Sequence, residues 1–279
     1  MVHSVDKEAD SITIRDFGEQ WSHYRTNEGF YGSTDLFLDA FPSVDPNRLV
    51  GSRVLDIGSG TGRIVLMLLE LGVSHVTAVE PSESFEVLAA NLQPYSDRVT
   101  LLKIPGEALA IENEFDFVFS YGVIHHIPDP FPAVRAAVRA LKSDGKIYLW
   151  VYGREGNRLF LAVILPLRKL TTKLPHPILV AITFLLDVLL WVYIRACHVI
   201  PLPLHRYATK VLVKLSAESR RLVIYDQLNP RYAKYYTRSE AIALLEACGL
   251  TEVRADHRHG YSWSVSGTKR EPTLDSFSR

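Results

Sequence analysis

The stretch Val54-Leu55-Asp56-Ile57-Gly58-Ser59-Gly60-Thr61-Gly62-Arg63 decides the fold that this sequence predicts. The apolar run over 53–57 predicts a buried parallel strand, and residues 63–71 predict a helix. The glycines between them predict a tight turn, because glycine adopts positive φ and lets a ligand approach the backbone. The N-terminus of the helix adds unpaired N–H donors and a partial positive charge. A strand, glycine-rich loop and helix in this order are typical of a site for a nucleotide-like ligand.

The spacing of the glycines separates this loop from the dinucleotide-binding pattern G-x-G-x-x-G, because the glycines fall at alternate positions and Arg63 follows the last of them. With Asp56 at the strand end, the loop resembles motif I, D-x-G-x-G-x-G, of the class I S-adenosylmethionine (SAM) methyltransferases. The resemblance implies that the loop backbone faces the methionine part of SAM and that the acidic residue lies near its amino group. The alternative is a glycine loop that binds nothing. The predicted cofactor-binding residues here are Asp56, Gly58, Ser59, Gly60, Thr61 and Gly62.

Two further acidic residues follow predicted strands. Glu80 lies 24 residues after Asp56, at the carboxyl end of the second strand, where a carboxylate can accept two hydrogen bonds from a ribose diol. The resemblance assigns this position to the SAM ribose, and the alternative is a solvated glutamate that caps a helix. Gly106 and Glu107 resemble the family's loop beside adenine, although many members have aspartate in place of Glu107, and a surface glutamate is the alternative. The cofactor-binding prediction therefore also includes Pro81, Gly106 and Glu107.

The fourth predicted strand, 115–121, runs into a segment over 122–130 that resembles the family's H-H-[IL]-P-D pattern. Ser120, Tyr121 and Gly122 join the predicted cofactor-binding residues. His125 and His126 are the candidate catalytic bases, because an imidazole can take a proton near neutral pH. Alternatively, they only orient the loop or line the pocket. Adjacent histidines lack the one-face spacing of metal ligands, so no metal is expected.

The order of elements up to residue 152 implies a mostly parallel sheet with helices on both faces. The resemblance adds a helix over 238–248 and strands over 251–257 and 261–267. We therefore predict a doubly wound, seven-stranded α/β fold of the Rossmann-like methyltransferase type with a helical insertion. The predicted parts are a helical or lid segment (1–49), the SAM-binding core (50–152), the insertion (153–235), the C-terminal part of the core (236–268) and a tail (269–279).

Aromatic side chains at two places are candidates for lining the substrate site. Trp21 and Tyr24 lie in a segment that resembles the F-G-x-x-W lid of related methyltransferases, with core packing as the alternative. Tyr235 and Tyr236 lie where the chain re-enters the core, and packing is their alternative role. Asp226 is expected near the mouth of the same site.

Composition indicates a folded protein in a reducing compartment. The net charge is zero, but residues 151–235 hold 13 Lys/Arg against 4 Asp/Glu, which suggests an anionic partner for that segment. Two cysteines exclude a disulfide framework, and the polar N-terminal residues lack an apolar signal-peptide core. A cytoplasmic location is expected, either free or at the cytoplasmic membrane surface.

The insertion contains an apolar run, 178–194, with Asp187 as its one charge. Its 17 residues fall short of the roughly 20 that span a bilayer. A shorter run, 159–167, ends near Pro166, so a helical hairpin is predicted. Three roles stay open: a cap on the core or on a second copy in a homodimer, an interfacial membrane contact through 157–204, and a spanning helix.

The best hypothesis from the sequence is a SAM-dependent methyltransferase, a transferase that acts on oxygen or nitrogen of a small or lipid-linked acceptor. One alternative is a peripheral membrane methyltransferase of a quinone or a polyprenyl-linked glycan. Another is a SAM-binding protein without enzymatic activity. A nucleic acid partner is not expected, because the basic segment is apolar and lacks a recognisable RNA module.

Overall fold

The computed structural model describes residues 14, 15, 18 and 27–270. Seven strands form one sheet in the order β3-β2-β1-β4-β5-β7-β6. β1 to β5 run parallel, and β7 lies antiparallel between β5 and β6. The predicted seven-stranded, mostly parallel fold is therefore confirmed. The strands are β1 Arg53–Ile57, β2 His75–Val79, β3 Val99–Leu102, β4 Phe115–Tyr121, β5 Leu141–Tyr152, β6 Leu250–Arg258 and β7 Ser262–Lys269.

Helices cover the sheet and build the insertion. They are α1 Thr34–Ala40, α2 Pro46–Leu49, α3 Arg63–Glu70, α4 Phe85–Leu92, α5 Phe131–Ala140, α6 Arg158–Thr171, α7 His176–Cys197, α8 His205–Lys210, α9 Ala217–Leu228 and α10 Arg238–Glu246. Short 3-10 turns add to these, among them Ile124–His126 after β4. A capping box fixes the start of α10, where the Thr237 and Glu240 side chains each bond the other's backbone N–H.

Alternate residues of the central strands enter two hydrophobic cores, one on each face of the sheet, as the period of two requires. On one face, Val54 of β1 and Phe119 of β4 pack with α1 and α3. On the other, Leu55 and Val118 pack with α5 and α10. Because both faces are covered, the central strands are almost wholly apolar.

β5 begins earlier than the sequence indicates. Residues 142–146, Lys-Ser-Asp-Gly-Lys, have the composition of a turn, but Leu141 already pairs with Phe115 of β4. The next pair joins Lys146 to Phe117, so the residues between bulge out of the ladder. Asp144 has φ 62° inside this bulge. The turn residues are thus present, but the strand continues through them.

The insertion adds helices to the core. α6 and α7 occupy the predicted hairpin, and α6 continues through Pro166 to Thr171 although the apolar run was expected to end at this proline. α8 and α9 bury Tyr207 and Leu222 in the same core that contains α1 and α3. The second half of the insertion is therefore continuous with the main domain.

Candidate active site

The glycine loop lies between the C-terminal end of β1 and the start of α3, and its three glycines all have positive φ. A Cβ at Gly58 would lie 2.3 Å from Cγ2 of Val123, which side-chain atoms do not tolerate. Asn27 and Asn91 both donate to the Thr61 carbonyl oxygen, at 3.2 and 2.9 Å. The loop is thus held open by glycine and fixed by side-chain amides.

Glu80, just past β2, is 6% exposed and turns its carboxylate toward this loop. Oε2 accepts the Gly60 N–H and Oε1 accepts the Ser82 N–H, both at 2.9 Å. A carboxylate has about four acceptor positions, so two remain for a ligand. Glu80 is therefore fixed in direction at the wall of the cavity.

Asp56 is the last residue but one of β1, just before the loop, and its side chain is buried. Its Oδ2 has no hydrogen-bond partner among the described residues. Burial raises the pKa of the Asp56 carboxyl to about 7, with the Glu80 charge adding to the rise and Arg63 opposing it. A carboxyl in this state would gain from a cationic ligand nearby.

One cavity joins the glycine loop to the insertion. Its first wall belongs to the core and contains most of the residues predicted to bind the cofactor: Gly58, Ser59, Gly60, Thr61, Glu80, Pro81, Gly106, Glu107, Tyr121 and Gly122. Its roof belongs to the insertion: Tyr207, Val223, Asp226 and Gln227. Asp226 thus lies at the cavity, as expected from its place in the chain.

Three residues of the predicted cofactor set, Asp56, Gly62 and Ser120, do not line the cavity. Ser120 lies in β4. It is fully buried, and its Oγ donates to the Ile57 carbonyl oxygen at 3.0 Å. It does not line the cavity. Strand alternation explains the difference between Ser120 and Tyr121. Successive side chains of β4 point to opposite faces of the sheet, and Tyr121 is the one that faces the ligand space.

The two histidines after β4 differ in position. His126 lines the cavity, and its Nδ1 lies 2.9 Å from the Tyr232 carbonyl oxygen. A carbonyl only accepts, so Nδ1 carries the proton and neutral His126 keeps its lone pair on Nε2. Burial lowers the pKa of His126 to about 3. The imidazole is therefore neutral throughout the physiological pH range.

His125 lies behind His126 and does not line the cavity. Its ring centroid is 3.9 Å from that of Tyr152, and neither ring nitrogen has a hydrogen-bond partner among the described residues. Burial lowers its pKa well below the usual range. The catalytic hypothesis thus narrows to His126.

Of the predicted substrate-lining aromatics, Tyr235 and Tyr236 do not line the cavity. Tyr235 stacks on Tyr152 with centroids 5.3 Å apart, and its hydroxyl bonds Arg168 and Gln227. Tyr236 is 2% exposed and packs in the core on the opposite sheet face. The surroundings of both tyrosines fit the alternative role, which is packing. Trp21 and Tyr24 lie outside the described residues.

Several cavity residues have no counterpart in the sequence prediction. Arg63, the first residue of α3, lies under two tyrosines, its guanidinium 4.2 Å from the Tyr31 ring centroid and 4.6 Å from that of Tyr121. Its place directly after the glycine loop was a usable signal. The others come together only through the fold: Tyr31, Trp150, Tyr152, Tyr207, Gln227 and Tyr261.

Gln227 organises these aromatics. Its Nε2 donates to the Tyr152 and Tyr261 hydroxyls at 2.7 and 2.9 Å. Tyr261 in turn stacks on Tyr207, with ring centroids 4.3 Å apart. One amide from the insertion therefore sets the orientation of rings from β5, the final hairpin and α8.

Comparison with known proteins identifies the core. Residues 55–149, from β1 to β5, match the family model described as a methyltransferase domain. The segment from β1 to β5 thus resembles a methyltransferase domain, in agreement with the resemblance of its glycine loop. A ubiquinone biosynthesis O-methyltransferase of Pseudomonas putida is 32% identical over 119 residues, which are 42% of this chain and 51% of that protein. One of Xanthomonas oryzae pv. oryzae is 34% identical over 119 residues, 42% of this chain and 49% of the relative. The chain thus spans about half the length of the curated relatives it matches.

Solved structures of methyltransferases share the fold over more of the chain. The Burkholderia thailandensis 1,6-didemethyltoxoflavin-N1-methyltransferase, solved with S-adenosylhomocysteine, is 19% identical with a TM-score of 0.50, over 83% of this chain and 77% of that one. A putative methyltransferase of Haloferax volcanii, in complex with the activator Trm112, is 13% identical with a TM-score of 0.54, over 93% and 99%. At these identities the likeness concerns the fold of the methyltransferase domain.

Proposed function

We propose that this chain transfers the methyl group of SAM to oxygen or nitrogen of a small or lipid-linked acceptor. One observation carries the proposal: a single cavity contains the glycine loop and the Glu80 carboxylate on one side, and His126 with an aromatic cluster on the other. The glycine backbone and the partly unpaired carboxyl of Asp56 fit a ligand that combines a nucleoside with positive charge. SAM, when bound, supplies an activated methyl group on a sulfonium.

The chain's own groups then have limited tasks, because the leaving group is already activated. The loop and Glu80 hold the cofactor, and the roof from the insertion excludes water and aligns the acceptor. His126 Nε2 would accept the hydrogen bond of an acceptor O–H or N–H and take up its proton, which leaves the acceptor atom free to receive the methyl group. The aromatic rings below the roof suit a flat acceptor.

A lipid-linked acceptor is favoured by the relatives named for ubiquinone biosynthesis and by the apolar insertion that roofs the cavity. Such an acceptor would present its reactive ring to the cavity and keep its apolar chain outside. This finer assignment is tested by comparing short-chain and long-chain phenolic acceptors in an assay with labelled SAM. The same assay separates an enzyme from a protein that only binds SAM.

Replacing Glu80 by alanine is expected to weaken SAM binding by about 1–3 kcal/mol, because charge-assisted hydrogen bonds to the ribose are lost. The hydrogen bonds that Glu80 accepts from the backbone N–H groups of Gly60 and Ser82 are lost as well. Isothermal calorimetry with SAM and with its demethylated product measures the change. Glu70→Ala, at the exposed end of α3, is the control and should bind as the parent does. Equal affinities for both variants would remove the ribose assignment.

Replacing His126 by glutamine is expected to lower kcat on the order of 10²-fold and to leave SAM affinity unchanged, because the proton acceptor is lost while the cofactor wall stays. His125→Phe is the matched control, since His125 lies behind the cavity against Tyr152. With a pKa of about 3, neutral His126 should impose no loss of kcat between about pH 8 and pH 5. If His125→Phe loses kcat and His126→Gln does not, the assignment is wrong.

A further inference from the structure

The helical hairpin of the insertion exposes an unusual amount of apolar surface. Of the 17 large hydrophobic residues that are exposed in the described part of the chain, 14 lie between residues 159 and 200. Soluble monomers seldom expose contiguous apolar patches beyond a few hundred Å². We refer to the exposed apolar side chains of α6 and α7 as the hairpin surface.

On α7 the exposed side chains follow the helical repeat. Leu185, Val188, Leu189 and Val192 are 57–65% exposed and lie at i, i+3, i+4 and i+7, so they share one face. On α6, Leu159, Val163 and Leu170 are more than 60% exposed. Among the described residues, α7 is the one helix whose length and composition would allow it to cross a membrane, and only 22% of its most apolar window is buried.

The opposite face of α7 is attached to the domain. Leu179, Thr183, Asp187 and Ile194 are buried, and Asp187 accepts Arg220 Nε at 2.7 Å. Arg220 belongs to α9, which is rich in polar residues. A spanning α7 would bring this ion pair and the polar α9 into hydrocarbon, which is costly. The helix is therefore placed to lie along a surface rather than across a bilayer.

The charge around the hairpin surface has one sign. Between Glu155 and Glu218 the only acidic residue is Asp187, which is buried in its pair with Arg220. Seven cations are exposed in the same interval: Arg158, Lys169, Lys173, Arg195, Arg206, Lys210 and Lys214. Two copies joined through this surface would bring cations together, whereas anionic headgroups would neutralise them.

Cationic side chains also border the exposed aromatic rings. The Arg221 guanidinium lies 4.2 Å from the Phe184 ring centroid, and the Arg195 guanidinium lies 4.6 Å from that of Trp191. An aromatic ring with a cation beside it suits the boundary between acyl chains and phosphate headgroups.

We propose that the hairpin surface docks on an anionic phospholipid bilayer, with α7 lying in the interfacial plane. The second half of the same insertion roofs the cavity through Tyr207, Val223, Asp226 and Gln227. Docking would therefore bring the cavity roof to the membrane, from which a lipid-linked acceptor can enter. That last step rests on the proposed function, while docking itself does not.

Vesicle flotation of the full chain tests docking. The parent protein is expected to float with vesicles of equal phosphatidylglycerol and phosphatidylcholine, and the variant L185Q/V188Q/L189Q/V192Q to float at least tenfold less. Glutamine keeps good helix propensity, and these positions are exposed, so the fold should persist. Val50→Gln, at an exposed valine outside the hairpin, is the control and should float as the parent does. A quadruple variant that floats like the parent would overturn the proposal.

Two variants, each of which removes two positive charges, test whether the partner is anionic. K169Q/K173Q is expected to float several-fold less with the anionic vesicles, and less still as salt rises. R135Q/R139Q removes the same charge from exposed positions on α5 and should float like the parent. Equal loss in both variants, or equal flotation of the parent with pure phosphatidylcholine, would contradict headgroup recognition.

A second variant and two further measurements distinguish docking on a membrane from loss of the fold, from dimer formation and from failure of the proposed function. Should the quadruple variant not fold, L159Q/V163Q on α6 repeats the test with a separate helix. A parent that stays in the dense fraction and is a dimer in solution, while the quadruple variant is a monomer, would assign the surface to a second copy and overturn docking. SAM binding by calorimetry is independent of both, so flotation without SAM binding would leave docking standing and remove the proposed function.

Discussion

Replacing Asp187 by alanine is expected to lower the free energy of unfolding by about 3–5 kcal/mol. The carboxylate accepts two bonds from Arg220, Nε at 2.7 Å and Nη2 at 3.3 Å, and both side chains are about 10% exposed. Without Asp187, the guanidinium keeps, among the residues that the structure describes, the Leu215 carbonyl oxygen at 2.9 Å and the Trp191 ring at 5.1 Å. The loss is therefore mainly that of a buried charge left without its counter-ion.

Urea unfolding followed by circular dichroism measures this loss. Two controls separate burial from charge. Glu86→Ala breaks an exposed pair with Lys103, and it should cost at most about 1 kcal/mol. The double variant D187L/R220M removes both charges and should recover most of the stability, because buried pairs are often replaceable by apolar side chains of similar volume. A loss below 1 kcal/mol for Asp187→Ala alone would mean that α7 is held by its apolar contacts.

The parts of the fold that depend on local pattern could be predicted from the sequence. β1, the glycine loop and the carboxylate of Glu80 follow from hydrophobic runs and glycine spacing, because parallel strands bring their carboxyl ends to one edge. The strand bounds differ where tertiary pairing decides them. Leu141 joins β5 because Phe115 lies opposite, and the loop residues before Lys146 then bulge out of the ladder.

The parts of the fold and of the site that depend on long-range packing could not be predicted from the sequence. Nothing in two adjacent histidines tells which one faces a cavity, and the 3-10 turn over Ile124–His126 decides it. Tyr207 and Gln227 reach the site only because α8 and α9 fold back over β5. In the sequence, Asp187 only interrupts an apolar run, because its partner Arg220 lies 33 residues later in the chain.

The second large effect concerns Asp56, and it depends on pH. The unfolded chain releases the Asp56 proton near pH 3.9, whereas the folded chain holds it up to about pH 7. Its contribution to stability is therefore full below about pH 4 and is lost as the pH rises through 7. At about 1.4 kcal/mol per pKa unit, the charged carboxyl costs about 4 kcal/mol above that range. Asp56→Asn removes this cost, because the amide does not ionise.

We therefore expect Asp56→Asn to unfold at a higher temperature than the parent at pH 8, with a difference that shrinks toward pH 4. With SAM present, we expect the variant to unfold at a lower temperature than the parent. A cationic ligand stabilises the charged carboxyl, and the amide of the variant lacks that charge. SAM should then bind more weakly to the variant, and binding to the parent near pH 6.5 should release a proton. Calorimetry in two buffers of different ionisation enthalpy measures that release.

The comparison distinguishes a ligand role for Asp56 from a structural one. If the carboxyl only packs beneath the loop, the variant will be more stable at pH 8 and will bind SAM as the parent does, with no proton released. If it serves the cofactor, stability and affinity will change in opposite directions. The cost of a buried, partly unpaired carboxyl at the end of β1 would then be maintained because the positive charge of the cofactor offsets it on binding.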